Sequence, residues 1–138
     1  MRVEERDSVD FLMDILDSIE KIEDFIEGFN FEEFSKDTKT IYAVVRALEI
    51  IGEATKNLPN SLRLNHPEVP WKDMAGFRDK VSHGYFGVDL EVVWDTAVED
   101  APFLKLLISK ILDEKEKEKE KEKEKEKEKE KEKEKESC

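Results

Sequence analysis

The chain has 138 residues, a formal net charge of −12 at pH 7, and 43% charged side chains. This length fits one domain of ordinary size. Because proteins attract nucleic acids mainly through Lys and Arg, so acidic a chain excludes indiscriminate binding to RNA or DNA, and any RNA-directed role must use a local basic pocket. No apolar run reaches the roughly 18 residues of a membrane span, and the N-terminus lacks a signal-peptide pattern. We therefore expect a cytoplasmic protein without a membrane partner.

The end of the chain is a Lys-Glu repeat without apolar side chains. It alternates strictly from Lys115 to Glu136, and its 11 Lys and 11 Glu cancel, so the net charge belongs to the preceding residues. Such a segment cannot form a hydrophobic core. We predict a helical domain over residues 1–113 and a low-complexity tail over 114–138, which is either disordered or a frayed extension of the last helix. The single cysteine, Cys138, excludes an intrachain disulfide.

The first part of the chain has helical periodicity. Apolar residues recur at three- and four-residue spacings over residues 11–26, and Gly28 follows as a stop signal. Asn30 and Glu33 have the spacing of a capping box. The pattern predicts a long amphipathic helix followed by a short helical segment that plugs one end of a bundle.

A second long helix is predicted to begin at Asp37 or Thr38 and to end before Pro59. Gly52 lies in its middle, where glycine costs about 1 kcal/mol relative to alanine unless close packing or function compensates. Together with Ala54, it predicts a close crossing with another helix.

The remaining elements are also helical in pattern. Residues 61–70 are predicted to form a turn and loop, since prolines disfavour helix just before them. Apolar spacing then predicts a helix over residues 71–81, a short helix capped by Asp89, and a last helix restarting at residues 100–102. No period-2 apolar alternation appears, so we predict an all-α fold.

One short segment combines side chains suited to acid–base chemistry. Arg78, His83 and Tyr85 lie within eight residues of one another at the end of a helical pattern. An imidazole can move a proton near neutral pH, and a guanidinium can hold a phosphate bidentately. The combination indicates phosphodiester chemistry that needs no metal.

The spacing of Arg78 and His83 leaves their geometry open. Five positions on a continuous helix separate two side chains by about 140°. The two residues would share a cleft if the helix ended near Ser82, or if two copies met across a symmetric axis. A purely structural interpretation also stands, in which Arg78 pairs with a helix face and His83 complements a helix C-terminus.

Other polar groups have simpler explanations. Four aspartates share one face at the start of the first helix and would suit a metal ion only with convergent partners that the sequence does not supply. A solvated acidic face explains them, and His66 is expected in a loop. We expect neither a metal nor an organic cofactor. The four aspartates are Asp7, Asp10, Asp14 and Asp17.

Three segments carry a resemblance to a known family, over residues 44–54, 70–80 and 81–89. The last two contain an Arg-x4-His-x-Tyr pattern at Arg78, His83 and Tyr85. On these residues, and over roughly residues 1–112, the chain resembles the HepT toxins of the HEPN (higher eukaryote and prokaryote nucleotide-binding) superfamily. The family motif is matched in full.

The resemblance implies a homodimeric, antiparallel bundle of about four main helices with additional short ones. Two copies of Arg78 and His83 would line a shared cleft and cut tRNA or mRNA without metal. It also implies a toxin of a type VII toxin–antitoxin system. Its partner would be an MntA-type nucleotidyltransferase antitoxin that transfers AMP onto Tyr85 and silences the ribonuclease.

The family places near the cleft a helix that here carries Arg46, Glu49 and Glu53 on one face, so these residues are expected to orient Arg78 or the substrate. An alternative from another class is a non-catalytic module. It would bind a nucleotide or present a substrate as one subunit of a two-protein nucleotidyltransferase. A plain structural dimer is a third possibility.

Overall fold

The computed structural model describes residues 6–81 and 89–136. Within these ranges the chain forms α-helices and one π-helical turn, without a β-strand, which confirms the predicted all-α class. None of the described helices is both long and apolar enough to cross a membrane. The elements are α1 Ser8–Ile26, α2 Phe31–Lys36, α3 Thr38–Lys56, α4 Asn60–Asn65, α5 Trp71–Ala75, α6 Phe77–Val81, α7 Leu90–Asp95, the π-helical turn Thr96–Asp100, and α8 Ala101–Glu136.

The core lies where α1 packs against α3 and α8. The apolar face predicted for the first helix is confirmed, because Leu12, Ile15, Ile19 and Ile22 have no exposed surface. Burying each side chain of this size contributes about 1.5–3 kcal/mol. The fully or almost fully buried residues of the three helices include Leu12, Ile15, Ile19, Ile22, Val44, Leu48, Ile51, Leu104, Ile108 and Ile111.

Polar side chains define several helix ends. The Asn30–Glu33 pair forms the predicted capping box at α2, with Asn30 Oδ1 accepting from the Glu33 N–H at 2.8 Å. Asp37 caps α3, and Gly28 adopts a φ of 81° after α1, a left-handed conformation that glycine reaches without strain. Phe34 of α2 is fully buried, with its ring centroid 5.2 Å from that of Trp94 on α7. The short helix therefore closes one end of the bundle.

The structure corrects two local predictions. The loop predicted over residues 61–70 was wrong for its first half, because α4 occupies Asn60–Asn65 and buries Leu62 in the core. Pro59 precedes this helix and its carbonyl accepts from two N–H groups of the first turn. The helix predicted over residues 71–81 is divided at Gly76 into α5 and α6. The Gly76 N–H donates to the Lys72 and Asp73 carbonyls and ends α5.

The predicted restart of the last helix was also wrong in one respect, because α7 and α8 are joined without a break. The intervening π-helical turn has the Ala101 N–H donating to the Thr96 carbonyl. Pro102 has no N–H, and its ring would collide with the carbonyl four residues earlier in a regular α-helix. The wider turn accommodates that ring. Helix α8 then continues to Glu136, while the domain boundary at residue 113 stays a prediction.

Gly52 lets α5 approach α3 closely. A Cβ atom at this position would lie 3.3 Å from the Met74 carbonyl oxygen and 3.5 Å from that of Ala75. The helix crossing predicted from Gly52 and Ala54 is therefore present, and α5 is the helix that crosses. Since α6 follows α5 after one residue, this contact also positions α6.

Gly52→Val should destabilise the fold, because its additional carbon atoms would meet backbone carbonyls that α5 holds in place. We expect a loss of about 1–3 kcal/mol in the free energy of unfolding, measured by urea titration. Tyr42→Val is the matched control, since Tyr42 lies on the same helix and its side chain is 73% exposed. That control should change stability by less than about 0.5 kcal/mol. Equal stability of the two variants would contradict the packing role of Gly52.

Candidate functional site

Arg78 projects from α6, a five-residue helix held by its neighbours. Phe77 and Val81 of the same helix are buried at 2% and 0% exposure, and α6 packs against α3 and α7. Arg78 itself is exposed, and no described residue forms an ion pair or hydrogen bond with it. The structure thus presents a permanently charged guanidinium whose donors are not used by residues 6–81 and 89–136.

A backbone hydrogen bond links the last residue of α6 to the residue before α7. The Asp89 N–H donates to the Val81 carbonyl at 3.1 Å, which joins the two ends of the segment spanning residues 82–88. His83 and Tyr85 belong to that segment and lie outside the described residues. The meeting of Arg78 and His83 therefore stays a prediction.

One side-chain contact links α6 to the π-helical turn. The Lys80 ammonium lies 3.5 Å from Asp100 Oδ2, and within α6 it lies 5.9 Å from the centroid of the Phe77 ring. Asp89, whose N–H bonds to Val81, also caps α7 by accepting from the Val92 N–H at 3.3 Å. Asp89 therefore connects the end of α6 to the start of α7.

Arg46, Glu49 and Glu53 share one exposed face of α3, as predicted. Arg46 Nη1 lies 3.2 Å from Glu49 Oε2 and 3.4 Å from Glu53 Oε1. In the described structure these pairs do not include Arg78, so the three residues do not orient it by direct contact. Exposed pairs of this kind contribute about 0–1 kcal/mol, which leaves Arg46 able to exchange its partners. A role in orienting the substrate stays a prediction.

The acidic face of α1 is explained by caps and ion pairs. Asp7 accepts from the Asp10 N–H at 3.0 Å, and this hydrogen bond lowers the pKa of the Asp7 carboxyl below its usual range. Arg6 pairs with Asp14 at 2.7 Å, which raises the pKa of Arg6, while Asp17 binds a lysine one turn later. The described residues contain no group of three or more His, Cys, Asp or Glu side chains arranged to hold a metal ion.

His66 has a structural role. It follows α4, and its carbonyl accepts a hydrogen bond of 2.9 Å from the indole N–H of Trp71. Trp71 is buried at 7% exposure, so this bond satisfies the polar atom of a core side chain.

A cavity beside α6 contains residues that the sequence did not single out. Its volume is about 180 Å³, and it lies between α5, α6 and the start of α8. The lining residues come from two segments of the chain, residues 70–80 and 100–104, and they form no sequence motif. Only the packing of the helices brings the two segments together. The lining residues are Pro70, Asp73, Phe77, Lys80, Asp100, Phe103 and Leu104.

Comparison with known proteins places this chain in a family. The family model described as "Ribonuclease HepT-like" matches residues 15–111, a range that includes Arg78, His83 and Tyr85. A relative from Thermococcus cleftensis named "Probable ribonuclease HepT" is 53% identical over 106 residues, which cover 77% of this chain and 96% of that protein. No solved structure matches the chain significantly.

Two further relatives are named as putative RNases. The one from Methanocaldococcus jannaschii is 50% identical over 67% of this chain and 76% of its own length. The one from Caldanaerobacter subterraneus is 46% identical over 77% of this chain and 95% of its own length. Since the family model matches more than half of the chain and these relatives align over most of their length, the chain belongs to the HepT-like ribonuclease family.

Proposed function

We propose that this chain is a metal-independent endoribonuclease and the toxin of a type VII toxin–antitoxin system. The family match and the names of the relatives support ribonuclease activity. The structural observation that carries the proposal is the exposed Arg78, which has no ionic partner among the described residues and lies one helical turn from the joined ends at Val81 and Asp89.

Arg78 would bind the scissile phosphate. Its planar guanidinium can donate two parallel hydrogen bonds to non-bridging phosphate oxygens and can stabilise the charge that grows on them during the reaction. A donor aimed at such charge typically contributes about 10²–10³ in rate. The anchoring of α6 by Phe77 and Val81 matters here, because a preorganised donor needs little rearrangement.

His83 would transfer the protons. In this proposal one imidazole takes the proton of the ribose 2′-hydroxyl, and the 2′-oxygen attacks phosphorus. The bond from phosphorus to the 5′-oxygen breaks, and an imidazolium protonates the leaving oxygen. The products are a 2′,3′-cyclic phosphate and a 5′-hydroxyl. A homodimer would supply two copies of Arg78 and His83 to one cleft and so both proton-transfer groups.

Tyr85 would regulate the enzyme as the acceptor of AMP. An MntA-type nucleotidyltransferase antitoxin would transfer AMP from ATP to the phenolic oxygen and release pyrophosphate. The added phosphate places negative charge two residues from His83, where it would repel RNA phosphate and block access to the site. The acidity of the whole chain is compatible with this control, because RNA affinity then rests on few cationic groups.

Arg78→Ala and His83→Ala should each reduce cleavage of a mixed tRNA and mRNA pool in EDTA by at least about 10², as expected for loss of charge stabilisation or of acid–base catalysis. Arg78→Lys should retain part of the activity, since lysine keeps the charge but loses the bidentate geometry. Because Arg78 is exposed, its loss should change the free energy of unfolding by less than about 0.5 kcal/mol.

Lys72→Ala is the matched control for Arg78→Ala, because Lys72 is an exposed cation on the adjacent helix α5. It should leave cleavage within twofold of the native rate, a margin of about 0.4 kcal/mol. Cleavage that persists in folded His83→Ala would remove the proposed mechanism. Absence of cleavage by native protein with unmodified Tyr85, together with tight nucleotide binding, would favour the non-catalytic module.

Tyr85→Phe should remain active and should resist silencing by the nucleotidyltransferase and ATP, because phenylalanine lacks the acceptor oxygen. Mass spectrometry should show AMP units on the native protein and none on this variant. Tyr42→Phe is the internal control, since the chain has 2 tyrosines and Tyr42 is 73% exposed. Modification that follows Tyr42 rather than Tyr85 would contradict the proposed regulation.

A further inference from the structure

The cavity beside α6 combines an apolar interior with a polar rim. Phe77 and Leu104, each 2% exposed, form its floor together with Pro70. Binding sites for drug-sized ligands typically have volumes of about 300–1,000 Å³. At about 180 Å³, this one is suited to a single planar ring system.

Phe103 supplies an exposed aromatic face at this cavity. Its side chain is 54% exposed although it belongs to the first turn of α8, where the neighbouring Leu104 is buried. An exposed ring above a small apolar cavity is an arrangement that stacks unpaired nucleic acid bases, because every base has a π-face.

The rim carries one cation and two carboxylates. Lys80 Nζ lies 3.5 Å from Asp100 Oδ2, so the ammonium and one carboxylate share one side of the opening. Asp73 is exposed and forms no ion pair with any residue of the described ranges. A lysine offers only donors, whereas an ionised aspartate offers only acceptors. The rim thus presents one donor group and two acceptor groups around an aromatic face.

We propose that this cavity binds a guanine base of the single-stranded RNA whose backbone Arg78 contacts, an inference that rests on the proposed ribonuclease function. The Watson–Crick edge of guanine has one acceptor, O6, and two neighbouring donors, N1–H and the N2 amino group. Lys80 complements O6, and a carboxylate complements the paired donors. Adenine has a single donor group and one acceptor on this edge and leaves a carboxylate unmatched.

The cavity and Arg78 belong to the same short helix. Phe77 and Lys80 line the cavity, and Arg78 lies between them in sequence. Successive helical residues differ by about 100° in direction, so Arg78 points about 100° away from Phe77 and about 160° away from Lys80. One RNA strand that passes around α6 could therefore place a base in the cavity while the phosphate of another of its nucleotides meets Arg78.

Binding can be tested without cleavage. The probes are short 2′-O-methyl oligonucleotides, which cannot be cut through the 2′-hydroxyl, with a central guanine, inosine or adenine in a uridine context, and GMP as a free nucleotide. Native protein should bind the guanine oligonucleotide about tenfold more tightly than the adenine one, because both bases stack but only guanine matches the hydrogen-bonding groups of the rim. Inosine lacks the N2 amino group and should bind with intermediate affinity.

Two variants test which side chains of the cavity bind the base. Phe103→Ala should weaken binding of the guanine oligonucleotide about tenfold, whereas Leu106→Ala, a 72% exposed apolar residue on the same helix, should not. Asp73→Asn should abolish the preference for guanine over inosine, with Asp95→Asn on α7 as its control. GMP binding that matches the oligonucleotide in affinity would assign the cavity to a free nucleotide and overturn the RNA assignment.

Cleavage mapping separates this inference from the proposed function. If the native enzyme cuts RNA at or near guanine and Asp73→Asn weakens that preference, the inference holds. Active enzyme with equal affinity for guanine and adenine oligonucleotides overturns the inference and leaves the ribonuclease intact. If native protein does not cut RNA, the proposed function fails, and the base preference measured with the uncleavable oligonucleotides still decides whether the cavity binds guanine.

Discussion

The contact between Gly52 of α3 and the backbone of α5 is the constraint on which the candidate site depends. Arg78 lies on a helix of five residues, and isolated helices shorter than about 12–15 residues are marginal in water. Its position must therefore be imposed by other parts of the fold. The close approach at Gly52, the burial of Phe77 and Val81, and the hydrogen bond from Asp89 to Val81 together impose it. The packing of Gly52 against the backbone of α5 thus helps to determine where the Arg78 guanidinium is exposed to solvent.

The net negative charge of the chain limits how it can bind nucleic acid. Proteins that rely on many phosphate contacts bind nucleic acids non-specifically and with steep salt dependence. A chain with a net charge of −12 repels RNA over most of its surface. In the proposed function, affinity would then come from few groups, such as Arg78 for phosphate and an aromatic face such as Phe103 for a base. Such a small binding surface would suit the proposed regulation, in which modification of Tyr85 adds negative charge near the site.

Helix α8 is packed against the core in its first turns and exposed to solvent in its Lys-Glu repeat. Its first turns are buried against α1 through Leu104, Ile108 and Ile111, while every described residue from Glu116 onward is exposed. The Lys-Glu alternation places opposite charges three residues apart and like charges four residues apart, so their effects on helix stability nearly cancel. The buried turns therefore supply the nucleus from which the exposed part extends. This explains why a repeat without an apolar face continues a helix.

Periodicity and caps by themselves determined the all-α class, the buried face of α1, the start of α3, the capping box at Asn30, and the close crossing at Gly52. These features follow from local spacing and from the conformational preferences of single residues. The sequence also singled out Arg78, His83 and Tyr85 as candidate site residues, because their order along the chain carries the motif, and their roles stay predictions. It did not separate α5 from α6, and it did not find helix α4, because one buried residue, Leu62, decides the packing of that segment.

Only the tertiary structure decided which residues line the cavity beside α6. Asp73, Lys80 and Phe103 lie on three different helices and share no spacing that a sequence pattern could reveal. The ion pair between Lys80 and Asp100 spans twenty positions and depends on how α6 meets the π-helical turn before Pro102. Local sequence determines helices because their hydrogen bonds are local. The site depends on contacts between distant segments, and these are settled only when the helices pack.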